Sequence, residues 1–97
     1  MLFRSALAEV THVRELIAGD LATRGVEVVE GRANFVLVRV GDAAALRLAL
    51  LRRGFAVRDC ASFGLPEWIR IAVPVEVAAR RLLAALHAAL ADTQDTR

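Results

Sequence analysis

Leu7, Val10, Val13, Leu16, Ile17 and Leu21 recur at intervals of three and four residues, with Glu9, Arg14, Glu15 and Asp20 between them. That period lays an apolar stripe along a helix from about Ser5 to Arg24. Arg24-Gly25 supplies a basic last turn and then a glycine, the usual helix stop. The period changes beyond it. Val26–Glu30 reads as a short strand, Gly31-Arg32 as a turn, and Asn34–Val40 as the strongest strand of the chain. Gly41-Asp42 breaks that strand, and Asp42 suits the N-cap of a second helix running to Arg53. The stop repeats at Arg53-Gly54. A strand over Phe55–Asp59 follows, then a loop over 60–67 marked by Ser, Gly and Pro, then a strand over Trp68–Val73. Pro74 suits the first turn of a last helix through about Ala91. Residues 92–97 read as a frayed polar tail.

The element order is therefore α-β-β-α-β-β-α. A strand–helix–strand connection favours parallel strands, while residues 55–73 form an antiparallel pair. The expectation is an α+β two-layer sandwich: a small mixed sheet covered by helices, in one domain spanning 1–97. From the strand at 34–40 onward, the order also matches most of a ferredoxin-like fold. No linker, repeat or low-complexity segment interrupts it.

Composition narrows the chemistry. At 57% hydrophobic over 97 residues, the chain can fill one core and is too apolar for disorder. The 13 basic and 11 acidic residues are interspersed, and every basic one is arginine. Together with the many alanines this fits a GC-rich coding bias, so a surface arginine needs no functional reason. The lack of lysine does exclude a side-chain Schiff base, a lysine general base and a P-loop lysine. A single cysteine, Cys60, excludes an intramolecular disulfide and a multi-cysteine zinc site. No apolar run is long enough for a membrane span or a signal peptide, which makes a reduced, cytoplasmic setting the default. Aromatic residues are 5% of the chain, and Phe35 and Phe55 fall at apparent core positions. That argues against nucleic-acid binding, which wants exposed aromatics among basic residues. Arg80-Arg81 reads as a solvated helix face.

Strand alternation singles out two residues. Ile69, Ile71 and Val73 share one face of the strand at 68–73, and Trp68, Arg70 and Ala72 the other. The aliphatic triplet packs on the helices, which leaves Arg70 on the opposite face. In 55–60, Phe55 and Val57 face the core, so Arg58 and Cys60 alternate onto the same outer face as Arg70. Two guanidiniums on neighbouring strands repel unless an anion lies between them, and a carboxylate or phosphate matches the planar fork of arginine. Spacing leaves two readings open. Both arginines point into water or pair with Asp59 and Glu67, or they form an anion site; on spacing alone the solvated reading comes first. Cys60 reads as a buried inert thiol, His12 and His87 as surface or packing residues with no acid motif beside them. Ser62 lacks a nucleophile-elbow context. No residue is assigned a catalytic or metal-binding role.

Three segments then carry a resemblance: Ala33-Asn34-Phe35-Val36-Leu37-Val38-Arg39, Leu50-Leu51-Arg52-Arg53-Gly54-Phe55-Ala56-Val57-Arg58-Asp59, and Ser62-Phe63-Gly64-Leu65-Pro66-Glu67-Trp68-Ile69-Arg70-Ile71-Ala72-Val73. In this order they resemble the C-terminal small domain of class I/II pyridoxal-phosphate-dependent aminotransferases, in the histidinol-phosphate aminotransferase and threonine-phosphate decarboxylase branch. The resemblance covers nearly the whole chain, and the ordered set is more specific than any one motif. It implies the small-domain type of α+β fold. It also implies that the arginine of Ile-Arg-Ile, Arg70, holds the acidic group of the substrate, with Arg58 of Val-Arg-Asp as a second contact and Asn34 in a structural role at a strand start. On that ground the anion site moves ahead of the solvated reading.

The resemblance further implies pyridoxal 5'-phosphate as cofactor of the parent enzyme, a phosphorylated or carboxylated amine as substrate, and a homodimeric parent. The lysine, aspartate and phosphate-cup residues that hold the cofactor belong to a large domain that would precede residue 1. A chain without lysine binds no such cofactor covalently, and alone it is expected to be inactive. Nucleic acid and membrane are not implied as partners. The alternatives are a threonine-phosphate decarboxylase-like small domain of cobalamin biosynthesis and a free-standing, non-catalytic ferredoxin-like module that binds a ligand or a protein.

Overall fold

A computed structural model of the chain describes residues 6–30 and 34–95. The elements are α1 (Ala6–Thr23), β1 (Val28–Glu30), β2 (Phe35–Arg39), α2 (Ala43–Arg52), β3 (Arg58–Cys60), a single 3₁₀ turn (Ala61–Phe63), β4 (Leu65–Ala72) and α3 (Glu76–Asp95). The order is the one expected. The turn at Gly31-Arg32 and the helix start at Ser5 lie outside the described residues.

The repeated Arg-Gly stop is a repeated backbone motif. After α1, the Val26 N–H donates to the Leu21 carbonyl and the Gly25 N–H to Ala22, both at 3.0 Å. After α2, Phe55 donates to Leu50 at 2.9 Å and Gly54 to Leu51 at 3.0 Å. Both pairs are Schellman closures, which need a left-handed residue at the turn; Gly25 and Gly54 supply it at φ 75° and 89°. At the other end of α2, the Asp42 carboxylate accepts from the Ala45 N–H at 3.0 Å, the cap expected of it.

The sheet order is β1-β2-β4-β3, and every neighbouring pair is antiparallel. This corrects the expected mixed sheet. β2 and β3 do run in the same direction, as the crossover through α2 suggests, but β4 lies between them and pairs with both. Its central place follows from its apolar inner face. Ile69 and Ile71 are fully buried, whereas three-residue β3 carries Arg58 and Asp59 and serves as a short, charged edge. β4 also begins earlier than expected, at Leu65, so part of the 60–67 loop is strand.

All three helices cover one face of the sheet. Val13, Ile17 and Leu21 of α1, Leu46 and Leu50 of α2, and Ala79, Leu82 and Leu86 of α3 pack against Val36, Val38, Ile69 and Ile71. Pro74 precedes α3 by two residues instead of sitting in its first turn. At its far end α3 runs on to Asp95, so residues 92–95 are helical and not tail; residues 96–97 lie outside the described ones. Arg53, just past α2, donates to the Asp92 carboxylate and ties α2 to that last turn.

Both histidines, which have no acid motif beside them in the sequence, have acid partners from another helix. His12 Nε2 lies 3.0 Å from Glu76 of α3, and His87 Nε2 lies 2.6 Å from Asp20 of α1. Arg80 donates twice to Glu76, at 2.8 and 3.1 Å. First Arg80 and then His12 hold the Glu76 carboxyl below the usual carboxylate range. A lowered folded pKa adds stability above the unfolded carboxylate value and loses it as pH falls through the folded one. Glu76→Gln is therefore expected to lower Tm slightly at pH 7, and the difference should vanish in acid. Melting curves of both proteins from pH 7 to pH 3, at low and high salt, check this. A difference that grows towards acid contradicts it.

Candidate functional site

The uncovered face of the sheet carries one rung that crosses all four strands. Val29 of β1 pairs with Leu37 of β2, Leu37 with Arg70 of β4, and Arg70 with Arg58 of β3. Cross-strand partners share a face, so Arg58 and Arg70 stand side by side on the outer surface, as alternation predicts. Directly opposed like charges destabilise a sheet. Neither arginine forms an ion pair among the described residues.

The acids that could have neutralised them are engaged elsewhere. Glu67 accepts from Arg39 at 2.8 Å, and Glu27 also accepts from Arg39 at 3.3 Å, which raises the Arg39 pKa. The Asp59 carboxylate accepts from the Ala61 N–H at 3.2 Å and so shapes the turn after β3.

Arg70 is half-buried, with its guanidinium carbon 5.4 Å from the centre of the Phe35 ring. That distance is within the range of a cation–π contact. Phe35 is thus not a core residue, contrary to its apparent position in the sequence; it lies on the outer face with Leu37 and Arg39 and forms the platform under Arg70. The signal for this was the charge of Arg39, which marks the outer parity of β2.

The turn after β3 is built by an irregularity in pairing. Arg58 and Asp59 pair regularly with Arg70 and Ile69, but Cys60 pairs with Leu65. The β4 residues thereby skipped by β3 include Pro66, which has no N–H for a ladder. The shift rotates Cys60 into the core, where it is 3% exposed, although strict alternation put it on the outer face. Its reading as a buried free thiol agrees with the structure. Past the 3₁₀ turn, Gly64 donates to Ala61 at 3.0 Å and leads into β4.

These features border an open hollow of about 610 Å³ along the free edge of β3, with Arg47, Arg58, Asp59, Ser62, Phe63 and Arg70 in its wall. Phe63 is 69% exposed and forms an apolar rim. The sequence reading had set Ser62 aside and had not singled out Arg47 or Phe63, because their convergence depends on how α2 and the turn pack around the strand edge. Asn34 is not brought to this hollow. Its backbone carbonyl accepts from the Val73 N–H at 2.7 Å at the start of β2, and its side chain is exposed. Among the described residues no three side chains are grouped to hold a metal, and no helix is long and apolar enough to cross a membrane.

Residues 4–87 match the family model of aminotransferase class I and II. The chain belongs to that family. It is 42% identical over 90 residues to histidinol-phosphate aminotransferase 1 of Thiobacillus denitrificans, covering 93% of this chain and 23% of that protein. It is 44% identical over 77 residues to histidinol-phosphate aminotransferase 2 of Ralstonia nicotianae, covering 75% and 21%. A crystal structure from Burkholderia pseudomallei, described as an aminotransferase, superposes with a TM-score of 0.73 at 36% identity, over 84% of this chain and 26% of that one. The chain thus spans between a fifth and a quarter of the length of the curated relatives it matches. The family is generally dependent on pyridoxal phosphate. These 97 residues do not fit an anchored form of that cofactor, since they offer no lysine amine to condense with its aldehyde.

Proposed function

We propose that the chain is the small domain of a histidinol-phosphate aminotransferase-like enzyme, and that Arg70 and Arg58 grip the phosphate or carboxylate of an amine substrate. One observation carries this reading. Two arginines face each other on one rung, neither has an acid partner among the described residues, and a hollow opens beside them. A planar guanidinium donates two parallel N–H bonds to an oxyanion, and two such forks meet three or more oxygens. The anion offsets the repulsion that the rung otherwise carries.

In this reading the arginines act at a distance from the reacting amine. Fixing the anionic end of the substrate limits where its other end can lie, and that positioning lowers the entropic part of the barrier. The domain would close over the active site as the anion docks. The large domain of the same enzyme would supply the cofactor chemistry, and the parent would be a homodimer. The names of the relatives support the phosphate ester as the acidic group.

The test compares histidinol phosphate with histidinol as amine donors for the full-length protein, with threonine phosphate as a third substrate. Loss of the phosphate should lower kcat/KM by about thirtyfold to a thousandfold, the scale of two to four kcal/mol of charge-assisted contact. Equal turnover of the two histidinol compounds overturns the anion grip. Carbon dioxide release from threonine phosphate would place the chain with the decarboxylases instead. Phosphate binding without turnover of any amine would favour a free-standing binding module.

A further inference from the structure

We infer that Arg47 is a third guanidinium of the same hollow and sets its preference for a doubly charged anion over a singly charged one. This rests on the reading of Arg58 and Arg70 as an anion site, and adds a specificity residue from the helical layer. Arg47 lies on α2 one turn from Ala43 and from Leu50, both fully buried against the sheet. Residues three and four apart are neighbours on a helix surface, so Arg47 adjoins that stripe. It stands at the edge of the stripe, where it shares a hollow with Arg58 and Asp59 of β3. β3 is the outermost strand, so no further strand separates α2 from the rung that carries Arg58 and Arg70.

Arg47 is exposed, makes no hydrogen bond or ion pair among the described residues, and lines the hollow together with Arg58 and Arg70. Three cations therefore meet one carboxylate there, Asp59, and the neutral Ala61 N–H that donates to its Oδ1 does not cancel its charge. With Asp59 subtracted, the Arg58–Arg70 pair leaves one positive charge, which offsets a single negative one. The excess contributed by Arg47 is matched by a second one, as on a phosphate monoester, which is a dianion at neutral pH. Arg52 at the end of α2 and Arg53 just past it do not line the hollow, and Arg53 is committed to Asp92.

The test titrates the full-length protein with phenyl phosphate and with benzenesulfonate at pH 7.5, by calorimetry. The two probes share a ring and three terminal oxygens and differ in charge. Arg47→Gln is expected to weaken phenyl phosphate about fivefold, the scale of one exposed charge-assisted contact, and to leave benzenesulfonate within about twofold. Arg47→Lys should keep the preference, since it keeps the charge. Arg58→Gln and Arg70→Gln should weaken both probes. If Arg47→Gln leaves the ratio of the two affinities unchanged while the other two variants lose binding, the role of Arg47 is overturned and the anion pair stands. If none of the three alters either probe, the anion pair falls as well. Arg47 is exposed and is not among the buried core residues, so circular dichroism of Arg47→Gln should match the parent protein.

Discussion

Arg70→Ala in the full-length protein is expected to lower kcat/KM for a phosphorylated amine by about thirtyfold to a thousandfold, or two to four kcal/mol. Of the two opposed arginines it should matter more. It stands on β4, the strand paired on both sides, and the Phe35 ring holds its guanidinium in place. Arg58 stands exposed on the short edge strand and has more conformational freedom to lose on binding. Arg70→Lys should recover only part of the loss, because an ammonium cannot make the bidentate contact. Steady-state kinetics with histidinol phosphate reads the effect. A decrease smaller than about threefold for Arg70→Ala would remove it from the anion-binding role, and a larger loss for Arg58→Ala would make Arg58 the dominant contact.

Ile69→Ala is expected to cost about 2–5 kcal/mol of folding stability, the range for truncating a buried aliphatic side chain. Ile69 is completely buried, lies next to Arg70 in β4, and is paired with Val38 on one side and Asp59 on the other. Its loss opens a cavity at the centre of the sheet, where pairing on both sides prevents β4 from collapsing into it. A domain of this size has a total stability of about 5–15 kcal/mol, so the variant should be visibly weakened and still show a folded baseline. Urea denaturation monitored by circular dichroism measures the shift in midpoint. A change under about 1 kcal/mol would mean that the inner face of β4 is not packed as described. Arg70→Ala, one residue away on the open face, should leave the midpoint nearly unchanged, and together the two variants separate the strand's structural face from its binding face.

That division of β4 was legible in the sequence, because a strand's side chains alternate and Ile69 and Ile71 leave Arg70 no place in the core. Arg58 was placed beside it by the same alternation. The resemblance of the three quoted segments then turned two outer-face arginines into a candidate site, and the comparisons show the family. The partners of the site were not legible. Glu67 stood three residues from Arg70 and looked available, but it is held by Arg39 from β2. Phe35 looked like core, yet its ring carries the guanidinium of Arg70.

What the sequence by itself determined is what depends on neighbours within a turn or a pleat: the element order, the Asp42 cap, the two arginine–glycine stops and the inner and outer faces of the last strand. These follow from local periodicity and backbone conformation, which a few residues suffice to define. The tertiary structure alone decided the insertion of β4 between β2 and β3, the pairing shift that turns Cys60 inward, the histidine–carboxylate contacts between α1 and α3, and the arrival of Arg47 at the edge of β3. Each of these joins residues distant in the chain, and its energy depends on which surfaces remain to be covered once the local elements exist. Alternation tells which face an arginine occupies, but only the packed sheet tells what stands opposite it.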